Sequence, residues 1–380
     1  MTAHTAGELA PSTLRERLAA GEPMTLLDVR NREEVERWRI ESPSVTRVHV
    51  PYMKFVAAGV SGDVSDLVPA DVEEPVVVVC PHGEASAEVA DQLVAAGIDA
   101  ENLAGGMDAW ARLYDRTVVA EREGRTVYQY RRPASGCLGY AVVGDGEMAV
   151  VDPLRAFVDR YRSDAAELGV DLTYAVDTHV HADHVSGVRA LAAATGAVAV
   201  LPQGSIDRGV VDAERFEAVA DGDTLDVGGT AMTAAALPGH TTGMTGFDVD
   251  GCLLTGDSLF LDGVARPDLQ EGADPRGRAR ELYATLTDRL ERVSGETLIA
   301  PGHAEAGPEG TSPAVARLDD LRERLAVFGM DEAAFVDHAT RVGAEPANAE
   351  RIVAVNLGRE VPDDDEAFEL ELGPNNCAAG

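Results

Sequence analysis

The segment Thr178-His179-Val180-His181-Ala182-Asp183-His184 sets the strongest constraint on how this 380-residue chain can fold. Three imidazoles and a carboxylate crowded into one short run would repel if protonated and fit poorly as core residues. As ligands around a cation they make sense together. The run follows an apolar stretch, Tyr174–Val176, that reads as a strand, and a helix is expected over His184–Thr195. Three further loops have the same character. Pro238-Gly239-His240-Thr241-Thr242-Gly243 puts a lone histidine between glycines, Gly256-Asp257-Ser258 puts an acid after the strand Cys252–Thr255, and Pro301-Gly302-His303 follows the apolar Thr297–Ala300. A histidine or aspartate at a strand end, next to glycine, is what a loop-built metal site requires.

The chain around these loops changes texture along its length. Residues 1–115 alternate helix and strand: helical Leu9–Ala20, strands Met24–Val29 and Pro75–Val79, then helical Ser86–Ala96. That alternation predicts a doubly wound, largely parallel sheet. From Thr117 onward short strands with glycine turns dominate, and Asp145-Gly146 and Asp250-Gly251 read as hairpin turns. Helices are expected at Phe157–Leu168 and, beyond Pro308, along Val315, Leu318, Leu321, Leu325 and Phe328. Two further helices near Asp331–Val342 and Ala347–Leu357 precede an acidic linker and a tail. The expected domains are 1–116, an α/β unit; 117–310, a mixed α/β unit with two sheets; and 311–380, a helical extension.

A second chemical signal is Cys80-Pro81-His82-Gly83-Glu84-Ala85-Ser86, a loop between a strand and a helix. A thiol at a helix N-terminus faces unpaired backbone N–H groups and the positive end of the dipole, which favour the thiolate and any anion it handles. The other three cysteines lie far apart. Cys137 and Cys252 beside or within apolar strands read as buried packing residues, and Cys377 at the end reads as an exposed tail thiol or as part of a tail folding back over the metal site. Such spacing belongs to a reducing, cytoplasmic compartment.

Charge narrows the partners. The chain carries 32 basic and 66 acidic residues, a formal net charge of −34, which disfavours nucleic acid. No apolar run reaches the ~20 residues of a membrane span, so no membrane partner is expected. Lys54 is the sole lysine and the acids are spread along the chain, the pattern of a surface adapted to a salt-rich cytoplasm, where repulsion is screened.

With these residues in place, His179-x-His181-x-Asp183-His184, His240, Asp257 and His303 resemble the metallo-β-lactamase superfamily over about residues 125–305. The resemblance implies an αββα sandwich with metal in a cleft at one edge of its two sheets. The stretch Phe260 to Gln270, with Arg266 and Asp268, looks like that of persulfide dioxygenases, relatives of the hydrolytic glyoxalases. By that resemblance one Fe(II) per chain is held by His179, His240 and Asp257, with His181, Asp183, His184 and His303 either supporting it or ligating a second ion. A hydrolase with two Zn(II) per chain would use the same residues, with Asp257 bridging, so ligand identity leaves metal count open. Arg266 is a candidate for pairing with a substrate carboxylate, or for bracing a loop through Asp268.

Residues 5–115 resemble a rhodanese (sulfurtransferase) domain through Leu27-Asp28-Val29-Arg30, Glu34, the Cys80 loop, and Leu103-Ala104-Gly105-Gly106-Met107 with Trp110. That implies a catalytic Cys80 carrying a persulfide. The loop departs from many active members in having Ala85 where a basic residue stands, and in adding Glu84, which disfavours anion binding. The combined expectation is a persulfide dioxygenase that uses O2 on a small-molecule persulfide or thiol carrier, with sulfane sulfur passing through Cys80. The alternative is a zinc hydrolase of a thioester or ester with an accessory rhodanese-like domain. A homo-oligomer is left open.

Overall fold

Val76–Val79 shows no polar alternation because both of its faces are covered, and it forms the middle strand of the first sheet. The computed structural model describes residues 5–61, 64–270, 272, 274–304, 312–373 and 377–379. The chain divides into two units, the first comprising residues up to Tyr114 with Arg132–Ser135. Its elements are β1 (Gly7–Leu9), α1 (Pro11–Ala19), β2 (Met24–Asp28), α2 (Arg32–Arg37), β3 (Val45–His49), α3 (Tyr52–Ser61), β4 (Val76–Val79), α4 (Glu84–Ala95), β5 (Ala100–Leu103) and α5 (Gly106–Ala111). The five strands run parallel in the order β1-β5-β4-β2-β3.

Alternate residues of the strands feed two cores. Leu26, Val77 and Val79 pack with Leu14, Leu18, Met107 and Trp110 of α1 and α5. Leu27, Val76 and Val78 pack with Phe55, Val89 and Leu93 of α3 and α4. Helices on both faces make this the doubly wound sheet expected from the alternation. Leu9, expected in the first helix, belongs to β1 instead; the helix begins at Pro11, because proline fits the first helical turn, where no N–H partner is needed.

The remaining described residues form the second unit. Its elements are β6 (Asp115–Arg122), β7 (Arg125–Arg131), β8 (Leu138–Val143), β9 (Glu147–Val151), α6 (Val158–Leu168), β10 (Asp171–Val176), α7 (Val188–Thr195), β11 (Val198–Pro202), α8 (Gln203–Ile206), β12 (Glu217–Val219), β13 (Thr224–Val227), β14 (Thr230–Ala236), β15 (Thr245–Val249) and β16 (Cys252–Gly256). There follow α9 (Pro275–Ala284), β17 (Leu298–Pro301), β18 (Ala316–Arg317), α10 (Leu318–Arg324), α11 (Glu332–Ala339), α12 (Ala349–Asn356) and α13 (Asp364–Leu370). Seven strands, β12-β11-β10-β9-β8-β7-β6, make one sheet, and six, β13-β14-β15-β16-β17-β18, make the other.

The inner faces of both sheets share one core: Tyr140, Val151, Val176 and Val200 from one, Val227, Phe247, Leu254 and Ala300 from the other. Leu253 and Ile299 point to the opposite face of the six-stranded sheet and pack with Leu282, Leu321 and Phe335 of α9, α10 and α11. α6 and α7 cover the seven-stranded sheet. The result is an αββα sandwich. No helix among the described residues is long and apolar enough to cross a membrane.

Three local expectations are corrected. The helix expected from His184 starts at Val188, and residues 184–187 stay in a loop where the Ser186 hydroxyl accepts the Val188 N–H at 3.1 Å. Val315 lies outside the expected helix, and Ala316–Arg317 pairs with β17 before α10 begins. The acidic linker contains a helix, α13, whose Asp363 side chain accepts the Glu366 N–H. Three acids in its first turn, Asp364 to Glu366, complement the helix dipole.

Candidate metal centre

Parallel strands deliver their following loops to one edge of a sheet, and the second unit uses this twice. Val151 and Val176 are paired neighbours at the ends of β9 and β10, so Asp152 and the Asp177–His184 loop emerge side by side. Gly256 and Pro301 are paired at the ends of β16 and β17, bringing Asp257 beside His303. Gly256 has φ +48°, and a Cβ there would lie 2.4 Å from Met244 Cε and 2.7 Å from Thr178 Oγ1. Glycine therefore allows the two loops to close on each other.

His179, His240 and Asp257 are all buried, and their ligand atoms lie within 4.8 Å of one another. Asp257 Oδ2 is 4.0 Å from His179 Nε2 and 3.8 Å from His240 Nε2. Donors sharing one ion sit about 3–4 Å apart, since each bond is about 2 Å. Neither His179 Nε2 nor Asp257 Oδ2 has a hydrogen-bond partner among the described residues, although both are buried. Buried polar atoms without partners are costly, and a cation between them would satisfy both. The residues present thus fit a metal ion.

The opposite side of each ligand is held. His179 Nδ1 meets Thr178 Oγ1 at 2.9 Å, and the Arg266 carbonyl accepts from His240 Nδ1 at 2.7 Å. His303 Nδ1 donates to Asp257 Oδ1 at 2.7 Å, leaving Oδ2 to face the two histidines. Such supports fix ring orientation and leave a definite lone pair for the ion. Burial pushes the His179 and His240 imidazoles below their ordinary value, which favours the neutral, ligating form. Burial works in the same direction on His303, but Asp257 and Asp183 outweigh it and raise this imidazole well above its ordinary value.

A second buried group adjoins the first: Cys137, Asp183, His184 and His303. Asp183 Oδ2 accepts from Cys137 Sγ at 3.2 Å, from His184 Nδ1 at 3.1 Å and from His303 Nε2 at 3.0 Å. This group is bound together by its own protons. His181 turns elsewhere, with Nε2 at 3.1 Å from Asp152 Oδ1 and 3.6 Å from Asp177 Oδ1.

Two cysteines differ from expectation. Cys377 is not the exposed tail thiol of its first reading; it is 2% exposed, and its thiol lies within 4.8 Å of Asp257 and His303 ligand atoms, as the folded-back tail of its second reading requires. The tail pairs backbone to backbone with the 264–266 loop: Arg266 N–H donates to the Cys377 carbonyl and Ala379 N–H to that of Val264. Phe260, Ala265 and Leu269 cover it. Cys137 is buried as expected, but it bonds Asp183 rather than serving packing alone. Cys252 is a core residue whose thiol burial pushes up to about 12.

Arg266 is 1% exposed, and its guanidinium is engaged by both Asp268 oxygens and by the carbonyls of Gly343 and Ala344. Of the two sequence readings, bracing a loop describes what this side chain touches, and a substrate carboxylate would have to displace Asp268. The sequence signal for Cys377 was slight, an isolated cysteine in a polar tail. For Asp152 it was an acid following an apolar strand, the same pattern that flagged Asp257.

In the first unit the Cys80 loop is ordered between β4 and α4. Cys80 is 2% exposed, and its sulfur accepts the Gly83 N–H at 3.0 Å and the Ser86 hydroxyl at 3.0 Å. Gly83 adopts φ +100°, which turns its N–H inward, and a Cβ there would meet Gly105 N at 2.8 Å.

Comparison with known proteins matches residues 132–303 to the metallo-beta-lactamase superfamily and 10–113 to the rhodanese-like domain. The chain is 34% identical over 161 residues to the mitochondrial persulfide dioxygenase ETHE1 of Homo sapiens, a match covering 41% of this chain and 59% of that relative's length. It is 30% identical over 224 residues to the hydroxyacylglutathione hydrolase of Anaeromyxobacter dehalogenans, covering 58% of this chain and 80% of that one. Among solved structures, ETHE1 from Myxococcus xanthus superposes with a TM-score of 0.53 at 29% identity, covering 61% of this chain and 98% of its own. The chain belongs to the metallo-β-lactamase superfamily and carries a rhodanese-like domain ahead of its metallo-β-lactamase domain.

Proposed function

We propose that this protein is an iron-dependent persulfide dioxygenase that oxidises a low-molecular-weight persulfide with O2 to sulfite, with sulfane sulfur supplied through Cys80. The observation that carries this reading is the set of two imidazole nitrogens and one carboxylate oxygen converging on a common point. Two histidines and one carboxylate would leave open positions on Fe(II), and an iron bound there would supply coordination sites for O2 and a sulfur ligand and a path for the electrons that the persulfide sulfur gives up. The net reaction is RSSH + O2 + H2O → RSH + SO3²⁻ + 2H⁺.

In this scheme the chain's own groups hold and shape the site. His179 and His240 offer Nε2 and Asp257 offers Oδ2, each oriented by the partner on its far side. The Cys377 tail and Phe260 close an apolar wall near Asp257 and His303. At the first unit, the Cys80 thiolate attacks the outer sulfur of a donor persulfide, the donor S–S bond breaks, and the donor leaves as a thiolate. An acceptor thiolate then takes the sulfur and regenerates Cys80. The Gly83 N–H and Ser86 hydroxyl stabilise the anion at both stages.

The Cys137–Asp183–His184–His303 group favours a second reading, a dinuclear zinc hydrolase of thioesters or esters, as does the longer match to a hydroxyacylglutathione hydrolase. Metal analysis of protein purified without oxygen, paired with O2 uptake on an added persulfide, separates the two. One iron per chain with sulfite formation is the expected result. Two zinc ions, thioester turnover and no O2 uptake would overturn it.

A further inference from the structure

Asp152 is 2% exposed and adopts φ 51°, in the left-handed region that residues with a Cβ seldom occupy. A residue held there by its surroundings often serves a site. Both of its carboxylate oxygens are used. Oδ1 accepts the Thr178 N–H at 2.7 Å and His181 Nε2 at 3.1 Å, and Oδ2 accepts the Thr178 hydroxyl at 3.0 Å. The same hydroxyl oxygen lies 2.9 Å from His179 Nδ1.

A hydroxyl has one proton, and here it goes to Asp152. Thr178 Oγ1 can then only accept from His179, so the imidazole proton sits on Nδ1 and Nε2 keeps a lone pair. Nε2 is the atom that faces Asp257 and, among the described residues, is left without a partner. We propose that Asp152 is a positioning residue for the metal, acting through the Thr178 hydroxyl to set which nitrogen of His179 is presented to the ion. The inference rests on reading His179, His240 and Asp257 as the ligands.

The relay has a polarity, and that makes it testable. In Asp152→Asn the Thr178 N–H still demands an acceptor, so the amide oxygen takes the Oδ1 place and the NH2 faces Thr178 Oγ1. The hydroxyl then accepts from the amide and donates to His179 Nδ1, which drives the imidazole proton onto Nε2 and blocks ligation. The side chain's shape is kept while the direction of two hydrogen bonds is reversed.

The measurement is metal retention by the full chain against a competing chelator. Asp152→Asn should lower metal affinity about 10–100-fold, the range for lost supports of a ligating histidine. Thr178→Val, which removes the hydroxyl, should behave likewise, and Thr178→Ser, which keeps it, should restore retention to near the parent. Nitrogen NMR of the metal-free chain should report the His179 proton on Nδ1 in the parent and on Nε2 in Asp152→Asn, a change that loss of packing alone would not cause. Parental retention in Asp152→Asn and Thr178→Val, with loss in Asp257→Ala, would overturn the relay while sparing the ligand assignment. Parental retention in Asp257→Ala would overturn that assignment and the relay with it. Should Asp152→Asn fail to fold, equal retention by Thr178→Ser and Thr178→Val overturns the inference.

Discussion

At the His179–His240–Asp257 cluster the atoms that converge are lone pairs, whereas around Cys80 they are hydrogens. Both places sit at the carboxyl ends of β-strands, where loops are free to carry function. The first surrounds its central point with acceptors that have no hydrogen to receive, which suits a cation. The second surrounds a sulfur with an N–H and an O–H, which suits an anion. The contrast shows that backbone plan alone does not decide what a strand-end loop binds. The direction of each hydrogen bond behind the loop does, as the Thr178 and Arg266 contacts to the histidines make plain.

Removing a lone pair should break the first site outright. Asp257→Ala and His240→Ala are each expected to lose bound metal and all persulfide oxidation, checked by metal analysis and O2 uptake. Full activity in either would end the comparison. Removing the sulfur should break only the second. In Cys80→Ser, sulfite formation from a sulfane donor should fall to background while oxidation of a persulfide added directly stays near the parent rate, because oxygen cannot hold a sulfane sulfur. Mass spectrometry of the parent should find one added sulfur on Cys80, removable by a reducing thiol. Because Ala85 and Glu84 leave the loop without an Arg or Lys, thiosulfate should be a poor donor beside a polysulfide.

A smaller effect tests the supports rather than the ligands. Asp183→Ala removes the acceptor shared by Cys137, His184 and His303, and so frees the imidazole that holds Asp257. Activity should fall about 10–100-fold with the metal still detectable. Salt should distinguish the two sites least, because it acts on the charge of the whole chain. Sixty-six acids against 32 bases repel more as the Debye length grows from about 3 Å at 1 M to about 10 Å at 0.1 M. Melting temperature is therefore expected to rise with salt for the whole chain, and a melting curve insensitive to salt would count against a surface adapted to it.

How much of this was legible in the chain can be judged residue by residue. The parallel sheet of the first unit was readable because Val76–Val79 and its flanking helical segments carry their periodicity locally. The helix from Val188 starts one turn later than its apolar spacing suggests because His184 to Ser186 are held by distant partners, including Asn356, which donates to the His181 and His184 carbonyls and accepts the Ser186 N–H. Leu9 and Val315 were drawn into helices by spacing, but each lies where a neighbouring strand, β5 or β17, offers or adjoins a ladder. Spacing reports which face of a segment is apolar, and it is silent on edge pairing.

The sequence by itself determined the candidate donors, since the strand-end His and Asp residues carry their chemistry in short motifs that need no partner to be recognised. It also determined the acidic surface and the cysteine on its strand-to-helix loop. Only the tertiary structure decided which donors converge and which neutralise one another: His179, His240 and Asp257 on one side, Cys137, Asp183, His184 and His303 on the other, with His181 drawn to Asp152 and Asp177. It alone decided between the two readings of Cys377, by bringing it back to the site, and between those of Arg266, by spending it on Asp268. The physical reason is range. A side chain's chemistry is written at its own position, but the hydrogen-bond direction that gives a histidine one free nitrogen depends on strands and loops far apart in the chain.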